Sequence, residues 1–157
     1  MYSIDDIYKM LSWNSALHDQ EKGIKLASEL DDLSLLIQPF WNGESKSLWG
    51  NCARALHEVS DDRLEPHLPL LLEWLQDLTW PGAETVFYRL KAFSGEKLKD
   101  PVMELVDRVS AWEDRLWLDF VSWLIENDDL KATLPHETLE ILQKHYDNPG
   151  WWYEEPL

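Results

Sequence analysis

The residue types that could support catalysis are present, but their spacing matches no catalytic or metal-binding pattern. The five histidines are scattered, and neither a His-Glu-x-x-His run nor a cysteine–histidine cluster at zinc spacing occurs. Cys52 and His57 lie five residues apart, which places them on different sides of a helix and disfavours a cysteine–histidine nucleophile pair. We interpret Cys52 as a small core residue. We therefore predict no catalytic residue, no metal site and no cofactor.

Carboxylates are abundant, and this abundance weakens any argument for a general acid and base. The chain has 30 Asp and Glu, so many pairs could be chosen by chance. Glu73 beside Trp74 is the arrangement that most resembles a hydrolase site, although a solvated glutamate is the simpler interpretation. A small hydrolase with a pocket of Trp and carboxylates between helices is an alternative hypothesis. It predicts a carboxylate of raised pKa.

Three pairs of adjacent aspartates each precede an apolar segment: Asp31-Asp32, Asp61-Asp62 and Asp128-Asp129. The simpler interpretation is that they cap helices and interact with the positive ends of helix dipoles. They could also form an acidic ridge that binds a basic partner, because a capping residue can still face solvent. The alternating ligands and the closing glutamate of a calcium-binding EF-hand do not follow any of them.

The composition restricts the class of partner. The chain has 157 residues, 45% of them apolar, and a net charge of −16, which would repel nucleic acids and anionic membranes. A basic protein is the partner that this charge favours. One cysteine, no leader-like start and no long apolar run predict a cytoplasmic protein.

Helical spacing of apolar residues dominates, and two markers recur with a period of about thirty. Trp13, Trp49, Trp80 and Trp112 are spaced by 36, 31 and 32 residues, and each is predicted to begin a helix. The acidic pairs fall between them, with Ser94-Gly95-Glu96 in the remaining slot. This pattern predicts an all-α chain, with residues 1–157 forming one α-solenoid of about four to five antiparallel helix pairs.

Three predicted helices in the middle of the chain have specific bounds. One runs over 64–78, one over 102–109 after Asp100-Pro101, and one over 112–125. Between the first of these and the next helix lies the bend at Trp80-Pro81-Gly82-Ala83. Pro81 fits the first turn of a new helix, and Gly82 is small enough for two backbones to approach. Trp80 is predicted to be a buried wedge in this bend.

The segment from Leu72 to Pro81, Leu-Glu-Trp-Leu-Gln-Asp-Leu-Thr-Trp-Pro, resembles the core motif of a small bacterial HEAT-like family without an assigned function. The close resemblance covers roughly residues 60–126. It implies a HEAT-like superhelix that binds macromolecules and supplies no catalytic residues. Small acidic proteins of this style also occur among toxin-immunity proteins. The leading hypothesis is therefore a non-enzymatic protein-binding module, for example one that neutralises a basic toxin; its oligomeric state stays open.

Three consecutive aromatic residues, Trp151-Trp152-Tyr153, follow the break at Pro149-Gly150. A solenoid needs a cap on its terminal repeat, so residues 146–157 are predicted to form a capping tail. Alternatively, the three rings anchor a partner, because Trp and Tyr are typical of binding hot spots.

Overall fold

The chain is built from helices and turns, and the described residues contain no strand. The structure is a computed structural model that describes residues 1–112 and 114–150, without the side chains of residues 110–112. The α-helices are α1 (Ile4–Leu11), α2 (Leu17–Ser28), α3 (Ser45–His57), α4 (Asp61–Leu64), α5 (Leu68–Glu73), α6 (Ala83–Lys91), α7 (Gly95–Trp112), α8 (Arg115–Ser122), α9 (Asp128–Thr133) and α10 (His136–Asp147). The 3₁₀ turns are Leu33–Leu36, Glu65–His67, Trp74–Gln76 and Trp123–Glu126. The all-α prediction is confirmed.

The prediction of a single helix over residues 64–78 is wrong. This segment is divided into α4, a 3₁₀ turn, α5 and a second 3₁₀ turn. Pro66 and Pro69 lie at the starts of the first 3₁₀ turn and of α5, where their missing N–H groups interrupt the helical hydrogen bonds. The segment still presents a continuous buried side, because Leu68, Leu71 and Leu72 are all in the core.

The helix predicted over residues 102–109, after Asp100-Pro101, begins earlier, at Gly95, and includes the proline. Leu98, Val102 and Val109 are fully buried, so one apolar stripe spans the proline and stabilises the helix on both sides of it. Trp112 is the last residue of this helix, so it does not begin the next one. The next helix, α8, begins at Arg115.

The helices pack mainly against neighbours in two series. α2 contacts α3, and α3 contacts α6; in the other series α5 contacts α7, and α7 contacts α9. α1 packs on α2, and α10 packs on α8. Leucine, valine and alanine side chains fill the space between them and form one continuous core. No helix in the described part of the chain has both the length and the apolar character of a membrane span.

The bend after Trp80 brings two backbones together, as predicted. Gly82 has a φ of 82°, and a Cβ atom on it would lie 2.6 Å from the carbonyl oxygen of Trp49. Trp80 is only partly buried, whereas Trp74 is fully buried and its indole N–H donates to the Pro81 carbonyl at 3.1 Å. The expectation of a fully buried wedge is therefore wrong for Trp80, and Trp74, for which no such role was predicted, is the buried tryptophan beside the bend.

The other tryptophans of the predicted period differ from one another in burial and position. Trp49 lies within α3 and is buried, with its ring centroid 6.0 Å from that of Trp80. Trp13 lies in the turn between α1 and α2 and is 56% exposed. Its backbone N–H, but not its ring, links this turn to α3 through the Ser47 carbonyl at 3.0 Å. The four tryptophans at this spacing therefore do not share one structural position, because Trp49 lies within a helix and Trp13 lies in a turn.

Candidate protein-binding surface

The first acidic pair, Asp31-Asp32, lies at the end of α2 and is exposed. Asp32 caps the 3₁₀ turn Leu33–Leu36, because its carboxylate accepts a hydrogen bond from the Ser34 backbone N–H at 3.0 Å. The two hydrogen bonds from Ser34 lower the pKa of Asp32. The capping interpretation is thus confirmed for Asp32, and its carboxylate is still exposed to solvent.

The second pair, Asp61-Asp62, opens α4 and forms bonds to a later segment. The Asp61 carboxylate accepts from Arg89 at 2.6 Å and from the Ser94 backbone N–H at 3.1 Å. Asp62 pairs with Lys97 at 2.6 Å, and this partner lowers the pKa of the carboxyl group. The Asp62 side chain is nevertheless 89% exposed. This pair therefore links α4 to the α6–α7 turn besides lying in the first turn of its own helix.

The third pair, Asp128-Asp129, lies in the first turn of α9 and is exposed. The cap itself is Asn127, whose side-chain oxygen accepts from the Leu130 N–H at 3.0 Å. The pair therefore contributes charge near the helix N-terminus, where the dipole favours it. The backbone of Asp129 packs closely on Gly95 at the start of α7.

Three side chains, each in a later helix or at its cap, donate hydrogen bonds to backbone carbonyl groups at or near the ends of earlier helices. Arg63 donates to Ser28 at 2.8 Å and also to Leu30. The other two links follow the same rule: Arg89 donates to Val59 at 2.7 Å, and Asn127 donates to Lys91 at 3.0 Å and to Phe93 at 2.7 Å. The bonded residues are 30 to 36 positions apart. We call these three links the joints.

The joints place the acidic turns next to one another in chain order. The turn after α2 lies beside the start of α4, which lies beside the α6–α7 turn, which lies beside the start of α9. We define the acidic edge as residues 29–32, 58–65, 94–97 and 126–129. These four segments contain eleven carboxylates and two basic side chains, and two further basic side chains, Arg89 and Lys91 of α6, form ion pairs with Asp61 and Glu126. The folded chain therefore concentrates negative charge along one edge, although the acidic pairs are far apart in sequence.

An open groove with aromatic walls meets the acidic edge. It has a volume of about 410 Å³ and lies between α6, the 3₁₀ turn Trp123–Glu126 and α10. We call it the aromatic groove, and its lining residues are Phe87, Tyr88, Lys91, Trp123, Glu126 and Tyr146. Glu126 belongs to both features, since it lines the groove and is the first residue of the acidic-edge segment 126–129.

The hydrolase hypothesis required a carboxylate of raised pKa beside Trp. In the aromatic groove, hydrogen bonds from Lys91 and Tyr146 lower the pKa of Glu126, which is the opposite shift. Glu73, the carboxylate that suggested the hypothesis, lies 3.8 Å from Arg108 and is 38% exposed. Each of these two carboxylates therefore has a basic side chain close by, whereas the hypothesis requires an apolar pocket around the carboxyl group.

A comparison with protein families identifies the family of the chain. Residues 50–146, well over half of the chain, match a family described as a domain of unknown function, DUF5071. The chain belongs to the DUF5071 family. The DUF5071 match contains the motif at 72–81 that suggested a family without an assigned function. No curated protein and no solved structure matches the chain.

The DUF5071 match covers most of the candidate surface. It includes the second and third acidic pairs and the whole aromatic groove, while Asp31-Asp32 lie before it. It begins inside α3, so α1 and α2 are packed onto the family's region from outside the matched residues.

The predicted core role of Cys52 agrees with its environment in this DUF5071 member. Its side chain is fully buried, and burial raises the pKa of the thiol to about 12. His57 is exposed at the surface. Among the described residues, no group of three His, Cys, Asp or Glu side chains is arranged to hold a metal ion.

Sequence reasoning missed a buried contact between Asp119 and His145. The Nδ1 atom of His145 lies 2.6 Å from the Asp119 carboxylate, and both side chains are about 5% exposed or less. The second carboxylate oxygen accepts from the Gly150 N–H at 2.8 Å. A charged residue within the apolar run of α8 was the available signal, but nothing in the sequence identified its partner. The predicted site residues Trp151, Trp152 and Tyr153 lie outside the described residues.

Proposed function

We propose that this chain is a non-enzymatic protein-binding module whose acidic edge engages a basic protein. The observation that carries the proposal is the set of joints, because they align acidic turns that are about thirty residues apart in sequence. A row of carboxylates of this kind complements a positively charged surface and accelerates association with it. Neutralising a basic toxin is one form that such binding would take, with a cytoplasmic site of action.

The architecture that we propose for this module is a HEAT-like α-solenoid. Each joint bonds residues that are 30 to 36 positions apart, close to the predicted period of about thirty. The contacts from α2 to α3 to α6, and from α5 to α7 to α9, support stacked helix pairs. In a solenoid each repeat mainly contacts its neighbours, and the continuous surfaces that result are typical binding surfaces.

The test requires a variant that removes charge without breaking a joint. Asp31, Asp128 and Asp129 are exposed, and their side chains make no hydrogen bond or ion pair within the described part of the chain. Changing all three to Asn therefore reduces the charge of the acidic edge while the caps and joints are kept. The full-length chain would be used to capture a partner from an extract of its source organism at low salt.

The matched control removes three exposed carboxylates that lie outside the acidic edge: Asp19→Asn, Asp107→Asn and Glu137→Gln. We expect a basic partner whose complex weakens as salt rises. The edge variant should bind it about tenfold more weakly at low ionic strength, with a shallower salt dependence, and the control less than about twofold more weakly. Capture of no specific protein at low salt, an acidic partner, or equal losses in both variants would contradict the proposal.

A further inference from the structure

The aromatic groove brings several aromatic side chains together at the protein surface. Phe87 is buried at its base, and Tyr88 at its rim is 54% exposed. The Phe87 ring centroid lies 5.3 Å from that of Tyr88 and 6.2 Å from that of Trp123. Both contacts are edge-to-face, with interplanar angles of 71° and 83°. Packing against Phe87 thus orients two rings whose electron-rich faces attract cations.

A carboxylate completes this environment. One oxygen of Glu126 pairs with Lys91 at 2.7 Å, and the other accepts from the Tyr146 hydroxyl at 3.0 Å. Tyr146 therefore fixes the orientation of the carboxylate against the groove. An ionised carboxylate accepts about four hydrogen bonds, so each oxygen can accept a further donor.

The chain's own Lys91 indicates which chemistry the groove accommodates. Lys91 is one of the residues that line the groove, its ammonium group pairs with Glu126, and its side chain is 35% exposed. An organic cation beside aromatic rings and a carboxylate is therefore already compatible with this site. Lys91 is held by a single ion pair at a partly exposed position, where such pairs contribute little, so a better-fitting cation can displace it.

We infer that the aromatic groove binds the guanidinium group of an arginine side chain that a basic protein partner presents, an inference that rests on the proposed function. A guanidinium is planar, so it stacks on an aromatic face while its N–H groups bond a carboxylate in the plane. The ammonium group of lysine offers a point charge without a flat face. Because the groove and the acidic edge share Glu126, one basic protein could contact both surfaces.

Binding can be measured on the full chain without knowing the partner. Probes are N-acetylarginine amide, its neutral isostere N-acetylcitrulline amide and N-acetyllysine amide, titrated into ¹⁵N-labelled protein and followed by NMR. We expect the arginine probe to bind about fivefold or more tightly than the other two, with shifts centred on Tyr88, Trp123 and Tyr146. Equal binding of the lysine probe, or no preference over citrulline, would overturn the assignment.

Three variants locate the site, and one of them should gain affinity. Tyr88→Ala and Glu126→Gln should each weaken arginine binding about threefold to tenfold. Lys91→Met removes the internal competitor and should strengthen binding several-fold, a result that misfolding cannot produce. Controls are Tyr2→Ala, which removes another exposed ring, and Glu137→Gln. Weakened binding in Lys91→Met, or losses in the controls as large as those in the groove variants, would refute the inference.

The two proposals fail in different ways. If the affinity for a basic partner falls in the acidic-edge variant but is unchanged by Tyr88→Ala and Glu126→Gln, the groove assignment is wrong and the module proposal stands. If the arginine probe binds the groove while no basic partner is captured, the groove assignment stands and the module proposal is wrong.

Discussion

Replacing Gly95 with alanine should destabilise the fold by forcing two backbones apart. Gly95 is buried at the start of α7. A Cβ atom there would lie 2.2 Å from the Leu130 nitrogen and 2.6 Å from both the Cβ and the carbonyl carbon of Asp129. None of these atoms can move by a change of rotamer, so α9 itself must shift.

The size of the effect follows from two opposing contributions. Overpacking of this kind costs about 1–3 kcal/mol or more, and the rigidity of both backbones favours the upper end. The helix preference of alanine over glycine returns at most about 1 kcal/mol. We expect the free energy of unfolding to fall by about 2 kcal/mol, which corresponds to a loss of about 4–8 °C in Tm for a chain of this size.

The matched control is Gly50→Ala in α3, because no heavy atom lies within 4 Å of the Cβ position there. This change should stabilise the helix by about 0.5–1 kcal/mol and raise Tm by a few degrees. Thermal and urea unfolding followed by circular dichroism would measure both variants. If Gly95→Ala and Gly50→Ala shifted Tm in the same direction, or if Gly95→Ala left Tm unaltered, the packing described between α7 and α9 would be refuted.

Three further predictions concern titratable groups. Cys52 should resist maleimide labelling at pH 7–8 in native protein and react rapidly in urea; fast native labelling would contradict its burial. Asp62 has a lowered pKa, so its stabilising contribution is complete above about pH 5 and is lost as pH falls below about 4. The Tm difference between wild type and Asp62→Asn at low salt should therefore shrink between pH 5 and pH 3, and a constant difference would contradict the pairing with Lys97. Asp119→Ala removes the carboxylate that contacts His145 and should lower the free energy of unfolding by about 3 kcal/mol, with a smaller loss for Asp119→Asn. An Asp119→Ala variant as stable as wild type in urea unfolding would exclude a structural role for the contact.

The sequence was most informative where one local rule decided the structure. Helical spacing of apolar residues predicted an all-α chain, and the described residues form helices and turns without a strand. Prolines misled the prediction in both directions. Pro66 and Pro69 break a segment that apolar spacing made continuous, whereas Pro101 lies within a helix that was predicted to begin just after it. Tertiary burial of the flanking leucines and valines decides these cases, and it cannot be read from the proline alone.

The sequence predicted the acidic pairs of the candidate surface, but neither their alignment nor the aromatic groove. The acidic pairs were recognised, because adjacent aspartates before apolar segments are typical of helix starts. Their alignment depends on contacts such as Arg89 to Val59 and Asn127 to Phe93, in which the acceptor is a backbone oxygen. The aromatic groove combines Tyr88, Trp123 and Tyr146 from three separate elements, and no spacing in the chain links these residues.

The joints also bear on how such a chain can diverge. A carbonyl oxygen has the same chemistry in every residue, so the accepting side of each joint imposes no residue type. The donating side also varies, since Arg63 lies in α4, Arg89 in the last turn of α6 and Asn127 at the N-cap of α9. Segments joined in this way can lose nearly all identity with one another and still stack in register. Common ancestry among them would then be visible in geometry long after it had faded from any alignment.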